Sequence, residues 1–342
     1  MKHARIVLVL LTVVATASGQ KQSGGPTNEK AQKTFQEALS HENKRELREA
    51  FDSFKKADKQ DEGKCFECER KIARYGLQFQ DWKAAENAAI AMVANAPDRQ
   101  MTALSHYQLG MVYLDKGLIK NDQASFPKAH EELTKAVAAY SNFPDAIYAD
   151  GQALANMKQD EAAKVQFARF VELTKSDDPM RQRAQRFVQQ PELARARMAP
   201  AFAVDTLDGH HVSLDDLKGK VVLLDFWATW CQPCREALPH IRKISQKFQG
   251  QPFAVLSISL DDDDGQWKQF IAKNEMTWLQ YRDGGFTGPV ARMFNVHAIP
   301  QTFTIDADGV LQDQHIGDEA IEGKLKKLIA RAQEVASSKP TQ

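Results

Sequence analysis

The sequence has no excess of charge of either sign and no polybasic block. Lys and Arg total 45, the same number as Asp and Glu. A chain without a basic stripe lacks the electrostatic footprint of a nucleic-acid-binding protein, so no nucleic-acid partner is expected. The hydrophobic content of 43% is ordinary for a soluble globular protein, and 342 residues predict about two domains.

Cysteine is also scarce. There are four cysteines, and they form two CxxC pairs, Cys65/Cys68 and Cys231/Cys234. Such pairs are used in disulfide exchange, in structural disulfides and in metal sites, so the compartment in which the chain works bears on their interpretation.

A long hydrophobic run is missing too. Lys2 and Arg5 precede an apolar stretch over 6–14, which is shorter than the roughly 20 residues that a membrane span needs. Small residues at 15–17 then give a cleavage pattern, so we expect residues 1–19 to be a signal peptide of a periplasmic or secreted protein. An uncleaved membrane anchor is the alternative. No cysteine follows the apolar stretch, so a lipid anchor is not indicated.

Residues 20–27 are rich in Gly, Ser and Gln and predict a linker. From 28 to 191 the chain is rich in Ala, Glu, Lys, Gln and Leu, which predicts an all-α domain. A loose repeat of about 34 residues, with small residues where paired helices would touch, resembles the tetratricopeptide repeat. Its units would begin near Ala31, Phe66, Ala103 and Pro144. Such units stack into a solenoid with a concave face for an unknown protein ligand. An ordinary helical bundle is the alternative.

The most informative stretch is 221–239, VVLLDFWATWCQPCREALP. Its apolar start predicts a buried parallel strand, and the residues after Cys234 predict a helix. Cysteines at i and i+3 lie on one face of the first helical turn, close enough for a short disulfide. The free N–H groups of that turn favour a thiolate on Cys231, and a thiolate is the attacking species in thiol–disulfide exchange.

The residues around this motif resemble a known family. Residues 225–234, DFWATWCQPC, look like a thioredoxin-fold active site, and the order of the segments 199–202, 208–214, Ile299-Pro300 and 303–309 is similar to the TlpA/ResA/CcmG branch of thiol–disulfide oxidoreductases. The resemblance implies an α/β thioredoxin-like domain, a central mixed sheet flanked by helices. We assign that domain to residues 192–336 and a frayed tail to residues 337–342.

By the same resemblance, Cys231 is the nucleophile and Cys234 the resolving thiol of a redox-active disulfide, with Gln232 and Pro233 between them to tune the redox potential. A purely structural disulfide or half of a metal site are the alternatives. A zinc site would need two further ligands, and none is evident nearby. We expect no metal and no cofactor.

Further site residues follow from the family pattern. Thioredoxins have a buried, proton-exchanging Asp at the position of Asp225, whereas many TlpA-type proteins have Asn; a structural Asp is the alternative. Pro300 after Ile299 matches a cis-proline loop that pairs with an extended substrate, with an ordinary trans turn as the alternative. Trp230 is expected at the rim where substrate docks. The acidic run 261–264 is interpreted as a solvated loop that caps a helix.

Cys65-Phe66-Glu67-Cys68 leaves three interpretations open: a disulfide at a helix start, a second redox pair that relays to Cys231, or free thiols.

Together these patterns predict a thiol–disulfide oxidoreductase that acts on disulfide-containing proteins outside the cytoplasm. By resemblance it works as a reductant, as in cytochrome c maturation, and is recharged by a membrane electron donor. A disulfide oxidant or isomerase would use the same residues, and a repeat-based adaptor with a vestigial redox domain is a further alternative. A peroxiredoxin is disfavoured because Leu224 and Ala228 replace the Pro and Thr that precede its cysteine.

Overall fold

The computed structural model describes residues 24–316 and 321–338. The predicted signal peptide, the first half of the predicted linker and the end of the predicted tail lie outside these residues. The described chain divides into two compact units. One comprises residues 24–176 together with Ala184–Arg195, and the other comprises Asp177–Arg183 together with the described residues from Ala196 onward.

The first unit is built from helices joined by short connections, so consecutive helices lie against each other. They are α1 (Glu29–Asn43), α2 (Leu47–Gln60), α3 (Phe66–Phe79), α4 (Trp82–Asn95), α5 (Arg99–Lys120), α6 (Ser125–Ala139), α7 (Pro144–Asn156), α8 (Asp160–Leu173) and α9 (Pro179–Gln189). In α9, the residues before Ala184 belong to the second unit. A short 3₁₀ turn over Pro191–Arg195 follows. None of the helices in 24–316 and 321–338 is long and apolar enough to cross a membrane.

Glycine is needed where the two helices of a pair touch. A Cβ on Gly110 of α5 would lie 2.7 Å from the side chain of Leu133 on α6. A Cβ on Gly151 of α7 would lie 2.8 Å from the ring of Phe167 on α8. Non-bonded carbon atoms do not approach this closely, so a larger side chain would push the paired helices apart. This is the arrangement that the spacing of small residues predicts.

The second unit alternates strands and helices. Its elements are β1 (Ala203–Asp205), β2 (His211–Ser213), β3 (Val221–Trp227), α10 (Gln232–Lys247), β4 (Phe253–Ser259), α11 (Asp264–Lys273), β5 (Leu279–Arg282), α12 (Pro289–Met293), β6 (Gln301–Ile305), β7 (Leu311–Ile316) and α13 (Glu322–Ser338). Strands β1 and β2 form an antiparallel hairpin, and the other five form one sheet in the order β5-β4-β3-β6-β7.

Strand β3 is the centre of this sheet. It runs parallel to β4 and antiparallel to β6, and all seven of its residues are buried. A strand covered on both faces reads as a continuous apolar run, which is why the sequence predicts it well. Strand β5, Leu279–Arg282, is the element that the sequence pattern does not predict. Its alternation of apolar and polar residues is only four residues long, and the residue that is buried is the polar Gln280.

The predicted fold class is therefore confirmed: an all-α part is followed by a mixed sheet with helices against it. Apolar side chains from β3, β4 and β6 form the core together with residues of α10 to α12. Helix α13 packs on the other part of the sheet, where Leu325 and Ile329 meet Val221 and Leu223. The candidate site lies at the opposite, carboxyl end of β3.

Candidate active site

The cysteine pair lies at the start of α10, directly after the central strand. Cys231 is the N-cap residue of this helix, and its Sγ accepts a hydrogen bond of 3.2 Å from the backbone N–H of Cys234. A disulfide joins the two cysteines, with an S–S distance of 2.02 Å. A sulfur at a helix N-terminus faces unpaired N–H groups, which stabilise a negative charge there when the disulfide is reduced.

The residues next to the disulfide in sequence are exposed to solvent, whereas the two cysteines are buried. Trp230 is 59% exposed although it is a large aromatic side chain, whereas Cys231 and Cys234 are 6% and 4% exposed. Gln232 and Pro233 are exposed between them. Pro233 suits the first turn of α10, where its missing N–H costs no hydrogen bond. The disulfide thus lies under an exposed rim that an incoming chain could contact.

Asp225 is a buried carboxylate inside β3. Its residue exposure is 6%, and its Oδ2 accepts a hydrogen bond of 2.9 Å from Oγ of Ser257 on β4. Burial raises the pKa of Asp225 from 3.8 to about 6, and the Ser257 hydrogen bond opposes this rise. A carboxyl group with this pKa can take up and release a proton near neutral pH.

Ile299 and Pro300 are half-buried and joined by a cis peptide bond. Gln301, the next residue, pairs with Phe226 near the end of β3. Strand pairing therefore places this loop at the same end of the sheet as Cys231. The backbone beside a proline at a sheet end is suited to pair with an extended peptide.

The interpretation of the acidic run 261–264 as a solvated loop that caps a helix is correct for its last three residues and wrong for Asp261. Asp263 does cap α11, because its Oδ1 accepts a hydrogen bond of 2.8 Å from the N–H of Gln266. Asp261, however, is 3% exposed and hydrogen-bonds to Thr229, two residues before Cys231. The sequence gives no signal for this role, because no local pattern distinguishes Asp261 from the three aspartates that follow it.

The second cysteine pair belongs to the helical unit. A disulfide of 2.06 Å joins Cys65 and Cys68, and both residues are 0% exposed. The local geometry repeats that of the first pair: Cys65 is the N-cap of α3, and its Sγ accepts a hydrogen bond of 3.2 Å from the N–H of Cys68. Burial raises the pKa of Asp58, whose carboxylate accepts the Cys65 N–H, to about 6. It raises the pKa of Glu69 to about 7.

Among residues 24–316 and 321–338, no group of three or more His, Cys, Asp or Glu side chains is arranged to hold a metal ion.

The structure brings five of the predicted site residues together at one helix start: Trp230, Cys231, Gln232, Pro233 and Cys234. Asp225 lies on the strand before them, and Ile299 and Pro300 enter the neighbouring strand.

Comparison with known proteins agrees with this geometry. Residues 196–314 match the AhpC/TSA family. The thiol-disulfide oxidoreductase ResA of Bacillus thuringiensis (strain Al Hakam) is 32% identical over 145 residues, which are 42% of this chain and 83% of ResA. The thioredoxin-like protein YneN of Bacillus subtilis (strain 168) is 36% identical over 128 residues, which are 36% of this chain and 73% of YneN.

Solved structures are similar as well. The crystal structure of a putative thiol:disulfide interchange protein DsbE from Chlorobium tepidum is 33% identical, with a TM-score of 0.36, and the match covers 40% of this chain and 96% of that one. The ResA match spans most of the relative's own length, 83% of it. The chain therefore belongs to the family of thiol-disulfide oxidoreductases that includes ResA.

Proposed function

We propose that the protein exchanges disulfides with protein substrates through the Cys231–Cys234 pair. The observation that carries this proposal is the position of Cys231: its sulfur caps α10 next to the exposed ring of Trp230. In the reduced protein the Cys231 thiolate attacks a sulfur of the substrate disulfide, and the other substrate sulfur leaves as a thiolate. Cys234 then attacks the Cys231 sulfur of the mixed disulfide and releases the substrate as a dithiol, while the Cys231–Cys234 disulfide forms.

Asp225 has the properties of the proton acceptor for this second step. The attacking Cys234 must lose a proton, and a buried carboxyl with a pKa of about 6 is largely ionised at pH 7. The burial that raises this pKa also excludes water from the strand, so the carboxylate is a stronger base than an exposed one.

The substrate contacts are assigned to the exposed rim and to the proline loop. Trp230, Gln232 and Pro233 offer a surface beside the disulfide, and the backbone at Ile299 and Pro300 pairs with an extended segment of the substrate. Main-chain pairing does not depend on the substrate sequence, which suits an enzyme that acts on several proteins.

The direction of exchange that we propose is reduction, with a membrane thiol–disulfide donor that returns electrons to Cys231–Cys234. The predicted signal peptide over residues 1–19 supports a location in the periplasm or outside the cell, where disulfides form and a dedicated reductant is needed. Maturation of cytochrome c is a process with this requirement. A disulfide oxidant or isomerase would use the same atoms, and the reduction potential separates them: about −270 mV fits a reductant and about −120 mV an oxidant.

The helical unit is proposed to be a tetratricopeptide-like solenoid over residues 28–191 that recruits a protein ligand, with the redox domain over 192–336. Helices that pair in sequence order, with glycine at the contacts of α5 with α6 and of α7 with α8, support this assignment. A repeat-based adaptor with an inactive redox domain would have the same architecture, and an exchange assay decides between them.

The test compares purified wild-type protein with Cys231→Ser in reduction of a protein disulfide by a small dithiol. Cys231→Ser is expected to abolish catalysis and to keep the fold, because Ser is a good N-cap residue. Circular dichroism provides the folding control. A variant that reduces the substrate at the wild-type rate would contradict the proposed function, and an inactive wild type would favour the adaptor.

A further inference from the structure

Asp261 joins the end of β4 to the loop that carries the reactive cysteine. Its two carboxylate oxygens accept the backbone N–H of Thr229 at 3.2 and 3.0 Å, and Oδ1 accepts the Thr229 hydroxyl at 2.6 Å. Its Oδ2 also accepts the hydroxyl of Ser259 at 2.6 Å. Asp261 is 3% exposed and Thr229 is half-buried, so the carboxylate is shielded from solvent while its contacts with Thr229 are partly buried.

The contacts fix the loop between β3 and α10 from one side. The N–H of Leu260, the residue before Asp261, donates to the carbonyl oxygen of Trp227 at 2.8 Å. Within the loop, the N–H of Cys231 donates to the carbonyl oxygen of Ala228 at 3.2 Å. The backbone between Trp227 and Cys231 is therefore held at its start by Leu260 and at its middle by the Asp261 carboxylate.

The neighbouring aspartates have other partners. Asp263 caps α11, and Asp264 pairs with Lys268 at 2.7 Å. Asp262 is exposed. A buried carboxylate is costly unless hydrogen bonds replace its water, and Asp261 is the member of the run that is buried and bonded to the active-site loop.

We propose that Asp261 is a positioning residue for Cys231, an inference that rests on the proposed function of the Cys231–Cys234 pair. The helix N-terminus stabilises a thiolate only while the sulfur lies over the first turn of α10, and this placement depends on the path of residues 228–230. Asp261 fixes that path through Thr229. An error of about 1 Å in the position of an attacking atom can cost a hundredfold in rate.

The experiment compares Asp261→Ala with the matched control Asp262→Ala and the rescue variant Asp261→Asn, all in the full chain. Through its carbonyl oxygen, Asn can keep both Oδ1 contacts with Thr229, and its amide nitrogen can donate to Oγ of Ser259 in place of the contact at Oδ2. It gives up the Oδ2 contact with the Thr229 N–H, so it keeps the anchor to Thr229 without the charge. The readouts are the rate of protein disulfide reduction and the pKa of the Cys231 thiol, followed by thiolate absorbance at 240 nm.

Asp261→Ala is expected to slow reduction by about tenfold or more and to raise the thiol pKa toward the free value of about 8.5. Asp261→Asn and Asp262→Ala are expected to stay near wild type. The sign of the pKa change separates positioning from charge, because loss of a nearby negative charge alone would lower the thiol pKa. A lowered or unchanged pKa in folded Asp261→Ala would overturn the inference.

Should Asp261→Ala fail to fold, Thr229→Val decides, because it removes the 2.6 Å hydroxyl contact and leaves both main-chain contacts. A raised thiol pKa and a slower rate in this variant support positioning, and wild-type values overturn it. If wild type itself does not reduce the substrate, both the proposed function and this inference are contradicted. If wild type is active and the variants match it, only this inference is contradicted.

Discussion

Oγ of Ser257 donates a 2.9 Å hydrogen bond to Oδ2 of Asp225 across the parallel pair β3 and β4. Oγ of Ser257 also accepts a hydrogen bond of 2.8 Å from the indole N–H of Trp278. Ser257 is 0% exposed, so this hydrogen bond replaces part of the hydration that the Asp225 carboxylate loses on burial. The pKa of about 6 reflects the balance between that loss and this single hydroxyl.

Asp225→Asn should change how stability depends on pH. Because the folded pKa of Asp225 is raised, the folded state binds a proton more tightly than the unfolded state does. The free energy of unfolding of wild type therefore falls as pH rises from about 4 through 6. Asn removes this dependence, and at pH 7 the variant should be more stable by up to about 3 kcal/mol. Urea unfolding at pH 4 and pH 7 measures this, and an equal gain at both values would contradict it.

The same substitution should slow exchange if Asp225 accepts the proton of Cys234. The expected result is a lower rate at neutral pH together with equal or higher stability, a combination that damage to the fold would not produce. The rate is measured from pH 6 to pH 9. A profile identical to that of wild type would assign Asp225 a structural role.

Ser257→Ala should raise the pKa of Asp225 above 6, because the hydrogen bond that favours the carboxylate is lost. The acid limb of the exchange rate should then move to higher pH, while the rate at pH 9 stays close to that of wild type. The control is the double variant Asp225→Asn/Ser257→Ala, which is compared with Asp225→Asn alone. A difference in the acid limb between these two variants would show that Ser257 acts through a group other than Asp225.

The Cys65–Cys68 disulfide should resist reduction in the folded protein. Both residues are 0% exposed, whereas Cys231 lies beside an exposed rim, and an attacking thiolate must reach a sulfur along the S–S axis. Mild treatment with a dithiol, followed by alkylation and peptide mass spectrometry, should label Cys231 and Cys234 and leave Cys65 and Cys68 unlabelled. Equal labelling of both pairs after the dithiol, with Cys65 and Cys68 unlabelled before it, would favour the second redox pair among the three interpretations.

Cys65→Ser/Cys68→Ser extends this test. Its exchange rate should equal that of wild type, and its helical unit should lose stability by about 2 kcal/mol, the chain-entropy value for closing so short a loop. Ser at position 65 keeps the N-cap of α3, so the loss reports the disulfide itself. A large loss of exchange activity would contradict a structural role.

Gly151→Ala should destabilise the helical unit, because the new Cβ would lie 2.8 Å from the Phe167 ring. Overpacking of this kind typically costs about 1–3 kcal/mol. Gly323 on α13 is the matched control, since a Cβ there meets nothing within 4 Å and alanine favours a helix. Thermal unfolding followed by circular dichroism should show a loss for Gly151→Ala alone. Equal behaviour of the two variants would mean that the α7–α8 contact is looser than described.

The sequence predicts the elements whose signals are local. The buried strand at Val221, the helix start at Cys231 and the pairing of small residues in the helical unit all follow from periodicity and spacing. Strand β5 is not predictable in this way, because Leu279–Arg282 forms a strand only by pairing with β4. The contact of Asp261 with Thr229 spans 32 residues and depends on the parallel sheet, so no local pattern distinguishes Asp261 from the three aspartates after it.

Capture of the mixed disulfide tests the central claim most directly. Cys234→Ser removes the resolving thiol, so the bond between Cys231 and a substrate sulfur should persist. The expected result is a substrate disulfide-linked to Cys231 in Cys234→Ser, identified by mass spectrometry of the linked peptides, and no linked substrate in Cys231→Ser. Substrate linked to Cys65 or Cys68, or equal capture by Cys231→Ser, would contradict the claim that Cys231 is the attacking thiol.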